Sequence, residues 1–250
     1  MEPSIPSRYL QAMESERILP NFWCSLEYWR RAGVSFAVSF NGTITVTDAE
    51  GHLFLPLLCQ SGFCTEPLAF AAFPDFPGEV VDRQYIYSPG LPEMSGTDWK
   101  PIRSTMRRVD RKLGSLSLSL LRPKEDVKRT ASLLYAWARS QGEPLYDPEL
   151  MADFVLNGDH RLALRDDNGV LWGVLVWDAN YKYTNFRYCI VSGEVEGLSD
   201  VARLLFREWC GEHHPNRLIN DGGDLDRPGL RRYKMKFQPS EVHIIRGKAS

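Results

Sequence analysis

Leu218-Ile219-Asn220-Asp221-Gly222-Gly223-Asp224-Leu225-Asp226-Arg227-Pro228-Gly229-Leu230-Arg231-Arg232-Tyr233-Lys234-Met235-Lys236-Phe237 reads as a strand end, an acidic turn and a short helix. Two adjacent glycines and the carboxylates Asp221, Asp224 and Asp226 make the turn. Asp226 and Pro228 mark the helix start, because a short acceptor side chain and a residue without an amide hydrogen both suit a helix N-terminus. Leu230, Tyr233 and Phe237 fall on one face, which predicts a docked apolar side. Arg231, Arg232, Lys234 and Lys236 point elsewhere, towards water or an anionic ligand.

This stretch, from the strand-ending Asn220 through Pro228-Gly229-Leu230-Arg231-Arg232-Tyr233-Lys234-x-Lys236-Phe237, resembles the closing motif of the soluble catalytic domain of phosphatidylglycerol lysyltransferases and their stand-alone relatives. Gln84-Tyr85-Ile86-Tyr87-Ser88-Pro89-Gly90-Leu91-Pro92-Glu93-Met94-Ser95-Gly96, followed by Arg103 and Arg107, resembles that family's central segment. The resemblance implies an α/β (α+β) chain of two tandem GNAT-like halves, residues 1–120 and 121–250, with mixed sheets flanked by helices. The second half would carry the cleft, a gap between two splayed strands that admits the donor. The resemblance further implies aminoacyl-tRNA as co-substrate.

The 250 residues carry a formal net charge of −2 and 43% hydrophobic residues, ordinary for a globular chain with a sizeable core. No global basic field announces nucleic acid, so contact with tRNA or another nucleic acid has to come from local patches. The five cysteines, Cys24, Cys59, Cys64, Cys189 and Cys210, show no zinc-type spacing and read as free thiols of a reducing cytoplasm. Met1-Glu2-Pro3-Ser4-Ile5-Pro6 has no secretory pattern, and no segment reaches the roughly twenty apolar residues that span a bilayer. A cytoplasmic location is expected.

Helical spacing of apolar residues between Arg8 and Arg31, broken at Pro20, predicts two short helices or one helix and a loop. Alternation on both sides of Asn41-Gly42 predicts a hairpin, and His52 to Leu58 a further strand. Ser61 to Gly78, rich in Phe, Pro and Gly, reads either as a lid or substrate wall or as irregular packing. Val80 to Tyr87 reads as a strand and Asp98 to Leu113 as a helix. Leu116 to Leu120 follows as a strand, then two helices, three strands from Arg161 to Val191, a helix from Gly197 to His213, a strand to Asn220, the basic helix and a last strand from Glu241.

Arg103, Arg107 and Arg111 recur at i, i+4 with Lys100, Arg108 and Lys112 nearby, either a solvated face or a phosphate-facing stripe. Asp221 and Asp224 are candidate proton acceptors or simple turn residues. Tyr233 is a candidate proton donor or a core residue. Arg231, Arg232 and Lys234 can hold a phosphate or carboxylate, with Asn220 beside them. Tyr85, Tyr87, Arg103 and Arg107 match the central family segment and would line the acceptor side.

Acyl-CoA enzymes hold pyrophosphate at a glycine-rich helix start, whereas Val191 to Asp200 offers Glu194 and Glu196 there, which would repel it. The resemblance instead implies an aminoacyl ester, already activated, as the donor, and no cofactor or metal is expected. His213-His214 reads as a helix cap, and Trp172, Trp177 and Trp209 as core. The leading reading is transfer of an aminoacyl or acyl group to an amine, hydroxyl, lipid head group or nucleobase. Acyl-CoA-dependent N-acyl transfer, modification of a nucleic acid and a non-catalytic binding module are the alternatives.

Overall fold

The computed structural model describes residues 3–18, 20–63, 79–140 and 147–247. In chain order the elements are α1 (Ile5–Ser15), α2 (Leu26–Arg31), β1 (Ser35–Val38), β2 (Ile44–Thr47), β3 (Leu53–Cys59), β4 (Gly62–Phe63), β5 (Glu79–Tyr87), α3 (Lys100–Leu113), β6 (Leu116–Leu120), α4 (Pro123–Ser140), α5 (Pro148–Asn157), β7 (Arg161–Asp166), β8 (Leu171–Ala179), β9 (Tyr183–Val191), α6 (Leu198–His213), β10 (Leu218–Asn220), α7 (Pro228–Met235) and β11 (Glu241–Gly247). The fold is mixed α/β with two sheets, ordered β1-β2-β3-β4 and β11-β5-β10-β9-β8-β7-β6. Two compact units are interleaved in sequence, one formed by residues 1–87, 179–185 and 220–250, the other by 88–178 and 186–219. This partition by contact does not follow the expected cut after residue 120. Most of the lid-or-wall stretch, with Cys64, lies outside the described residues.

In the first unit, Ser4 and Ser25 cap α1 and α2 with their side-chain oxygens, which accept otherwise orphaned amides. Pro20 and the following loop separate the helices because proline cannot donate within a helix. Tyr9 and Met13 then join Cys24, Trp29, Ile44, Val46, Phe54 and Leu55 in a closed core. Tyr9 meets Trp29, Phe36 and Phe63 edge to face, and its hydroxyl donates to the Pro56 carbonyl at 2.5 Å. The β1–β2 hairpin forms as expected but with a longer turn: Val38 pairs with Ile44, and the Asn41 side chain accepts from Ser39 and Thr43. Phe40 stands fully exposed there, outside the strand expected to contain it.

The antiparallel pair β5–β11, in register Gln84 to His243 and Ile86 to Glu241, supports the second half of the first unit. Around it, Asn180 donates to the Cys24 carbonyl at 2.9 Å and Tyr181 donates to the Ile18 carbonyl. These two bonds tie the β8–β9 turn to the α1–α2 loop.

In the second unit, β6, β7 and β8 form an antiparallel meander with Ser119 opposite Ala163 and Leu164 opposite Gly173. The inward side of α3 carries Ile102 and Val109, so Arg107, Arg108 and Arg111 face outwards, while Arg103 is partly buried. Asp178 and Arg187 form a bidentate pair at 2.7 and 3.1 Å with both side chains buried. A hidden fork of this kind fixes its donors and acceptors at the expense of two desolvated charges.

Candidate active site

The acidic turn lies in the first unit, and β5 supplies its floor. The Tyr85 amide donates to the Gly222 carbonyl at 3.2 Å, and the Asp221 amide donates to the Tyr85 carbonyl at 3.0 Å. Asn220, wholly buried, donates from Nδ2 to Gln84 Oε1 at 2.9 Å and accepts the Gly222 amide on Oδ1. Gln84 Oε1 also accepts the amide of Phe22, whose ring lies against Gly222. A polar strand residue thereby pins the turn, the strand end and the α1–α2 loop at one place.

Asp224 is the hub of the turn. Its fully buried carboxylate accepts three hydrogen bonds: Tyr85 OH at 2.6 Å and Arg231 Nε at 2.8 Å on Oδ2, and the Asp226 amide at 2.9 Å on Oδ1. Burial raises its pKa, but the bonds from Arg231, Tyr85 and the Asp226 amide outweigh it and hold the carboxyl below its usual range. Burial and the same carboxylate push Tyr85 up to about 12, so its hydroxyl stays a donor. Arg231 reaches on to Asp226 at 2.7 Å, which also receives Arg83 at 3.0 Å. Leu225 and Asp226 both take left-handed backbone angles, φ 50° and 52°, unfavourable for side-chain-bearing residues.

Helix α7 differs in detail from the sequence expectation. Its N-cap is Arg227, without a side-chain cap, and Asp226 serves the two arginines instead. Phe237 is buried and Tyr233 packs edge to face on it. Lys234, expected on the basic outer face, is 4% exposed. Its long apolar stem lets the ammonium turn inwards, where it donates to the Asp221 carbonyl, lies 3.9 Å from Asp221 Oδ1 and sits 5.7 Å from the centre of the Tyr85 ring. Tyr87 OH donates to the Lys234 carbonyl at 2.9 Å, fixing the helix from the strand.

Asn220, Asp221, Asp224, Arg231, Lys234, Tyr85 and Tyr87 are thus gathered in one place. Tyr233 sits at the edge of the docked face with Lys236 over its ring at 4.1 Å, and Arg232 is exposed. Arg103 and Arg107 belong to α3 in the second unit. There Arg103 donates to the Met94 carbonyl at 2.5 Å, and Arg107 is exposed beside Arg108 and Arg111.

One residue of the site was not anticipated. Asp82 lies two positions before Gln84 on the same side of β5 and is 5% exposed. Neither carboxylate oxygen has a hydrogen-bond partner. Its pKa is raised, first by burial and also by Asp224, against partial relief from Lys234 and from the nearby Arg83 and Leu225 amides, which do not complete hydrogen bonds. A Cβ built on Gly223 would lie 1.8 Å from Asp82 Oδ2, so only glycine permits this approach. The signal in the sequence was the spacing of Asp82 and Gln84, two residues apart and so on the side of β5 opposite Arg83.

In the second unit, the start of α6 carries acid. Asp200 is buried in its first turn, Glu196 pairs with Arg108 at 3.2 Å, and the Glu194 carbonyl accepts Lys112 at 2.5 Å. A separate cavity of about 700 Å³ at the end of β6 and the start of α4 is lined by Ser119, Leu120, Leu121, Arg122, Lys124 and Glu125 and includes no residue of the acidic turn.

The fold is similar to those of solved structures of L-PGS and of a lysylphosphatidylglycerol synthetase C-terminal domain. L-PGS from Bacillus licheniformis superposes with a TM-score of 0.64 at 13% identity, over 98% of this chain and 90% of that one. The C-terminal domain of a candidate lysylphosphatidylglycerol synthetase from Agrobacterium fabrum gives 0.58 at 13% identity, over 96% and 90%. A conserved protein of unknown function from Bacteroides thetaiotaomicron VPI-5482 gives 0.63 at 15% identity, over 91% and 90%. At such identities the likeness is one of fold. No family model and no curated protein sequence matches the chain. Among the described residues no helix is long and apolar enough to cross a membrane.

Proposed function

We propose that the protein transfers an aminoacyl or acyl group from an activated donor to an amine or hydroxyl acceptor, with aminoacyl-tRNA as the donor. The observation that carries this reading is the Asp224 hub with Tyr85, Arg231 and the buried Asp221–Lys234 pair, set beyond β10 on a fold shared almost end to end with L-PGS. A buried, prearranged set of charges stabilises charge developing in a reaction better than water does.

In the proposed step the acceptor nitrogen or oxygen attacks the ester carbonyl, and the new C–N or C–O bond forms as the bond to the tRNA ribose oxygen breaks. The acceptor loses a proton, and the leaving oxygen gains one. Arg231, held in place by Asp224 yet partly open to solvent, suits the oxyanion. Asp221 suits proton acceptance better than Asp224, whose three donors make it a weak base. Tyr233 is the proposed proton donor to the leaving oxygen. In the first unit the exposed Arg232 would meet a phosphate, and in the second the exposed Arg107 of α3 would do so independently. The acid at the start of α6 disfavours a CoA pyrophosphate.

The test is release of labelled amino acid from aminoacyl-tRNA to added amines and alcohols. Arg231→Ala and Asp224→Asn are expected to lower kcat/KM by about 10²-fold, the usual scale for losing a transition-state donor. Unchanged turnover in both removes the site assignment, and thermal stabilisation by CoA with acetyl transfer would install acyl-CoA as the donor.

A further inference from the structure

The charges of the turn nearly balance. Asp224 and Asp226 share Arg231, Asp226 also takes Arg83, and Asp221 lies against Lys234. Asp82 is left over, 5% exposed, with two unpartnered oxygens. On the same side of the strand, two residues on, the Gln84 Nε2 donor is also buried and unpartnered. An orphaned acceptor beside an orphaned donor is unfavourable in a finished core, since each forfeits its hydration without replacement. The cover over the carboxylate is thin. Gly223 lies directly on it, is itself partly exposed, and precedes the two residues with left-handed backbone.

We propose that Asp82 is the counter-ion of a primary ammonium ligand that enters beneath Gly223, with the Gln84 amide donating to the ligand's neighbouring carbonyl or hydroxyl oxygen. A single positive charge completes the charge count, and an N–H donor beside an oxygen acceptor matches the orphaned pair. Two sources offer this chemistry: the free α-ammonium of an aminoacyl ester, and an amine acceptor. The inference deepens the transfer reading and rests on it for the ligand's role.

Calorimetry with L-alaninamide and with n-butylamine distinguishes the sources, and N-acetyl-L-alaninamide serves as the uncharged control. At least one amine is expected to bind the wild-type protein, the control is not, and Asp82→Asn should weaken binding about tenfold or more, the scale of a lost charged hydrogen bond. Asp82→Asn should also raise Tm at neutral pH, because it removes an unpaired buried charge; a carboxylate with a merely structural role would lower it. Asp82→Ser, which removes the charge without a clash, should weaken binding likewise and guards against a folding failure in the first variant. Binding of the acetylated control as tight as that of the amines, no binding of either amine, or unchanged affinity in both variants overturns the proposal. Turnover separates it from the transfer reading: amine binding without transfer sinks transfer alone, and wild-type KM in Asp82→Asn sinks the counter-ion alone.

Discussion

Tyr85 and Asp224, 139 residues apart in sequence, meet through a 2.6 Å hydrogen bond from the phenol to a carboxylate with no exposure to solvent. The phenol donates to an ionised group, so the bond belongs to the stronger class. Tyr85→Phe leaves Asp224 Oδ2 with Arg231 alone and is expected to cost about 1.5–3 kcal/mol. A lower urea midpoint at unchanged slope is the measurement. Tyr85→Phe and Asp224→Asn should be non-additive by about 0.5–3 kcal/mol, since they remove two ends of one network; strict additivity would mean that the bond contributes nothing.

Acid sensitivity follows from Asp126 in the second unit. Burial raises its pKa, but Arg165 at 2.6 Å and the Arg122 amide at 2.7 Å more than offset that and leave it lowered. A group depressed in the folded state contributes stability above its unfolded pKa, about 3.9, and loses it as pH falls through the folded value. Asp126→Asn should therefore be less stable than wild type at pH 7, with the two unfolding curves converging below about pH 3. Parallel curves across that range would assign the loss to packing instead of charge.

Much of the fold was legible because each element carries its own periodicity. The alternation around Asn41-Gly42 and Leu116 to Leu120, and the proline at the start of α7, lie in the chain itself. The motif residues Tyr85, Asp224 and Arg231, singled out from separate stretches, meet in the fold. Three features escaped for a shared reason, that the burial of a charge depends on contacts made only in the fold. Lys234 looked like a surface residue because helical spacing alone cannot place Asp221 beneath it. Asp178 and Arg187 read as ordinary strand residues until β8 and β9 set them side by side. Asp82 shows its burial only once Gly223 has closed over it.

The outward face of α3 offers Arg107 and Arg111, both exposed, while Ile102 and Val109 hold the helix from the other side. Arg107→Ala with Arg111→Ala should change stability by no more than about 0.5 kcal/mol, as surface substitutions do. If this face meets tRNA phosphates, the slope of log affinity against log salt should become shallower by about 1.8, or 0.9 for each lost contact. An unchanged slope in a filter-binding titration would place the tRNA elsewhere.

Gly211, within α6, gives a prediction whose sign depends on packing. Replacing a helical glycine by alanine ordinarily gains up to about 1 kcal/mol in helix propensity, less in a last turn such as that of Gly211. Here the added Cβ would lie 2.7 Å from Gly90 Cα and 2.9 Å from Gly90 N, backbone atoms that cannot rotate away. The Gly90 amide is held by a 2.7 Å hydrogen bond to the Arg207 carbonyl, so relief requires stretching that bond or moving the helix. Overpacking of this kind costs roughly 1–3 kcal/mol, enough to cancel or exceed the propensity gain. Gly211→Ala is therefore expected to lower Tm by a few degrees, at about 2–4 °C per kcal/mol for a chain of this size. Gly193→Ala, where the new methyl meets nothing within 4 Å, should leave Tm nearly unchanged. A Tm that rises in Gly211→Ala would mean that α6 and the Pro89–Gly90 segment are not in contact in solution.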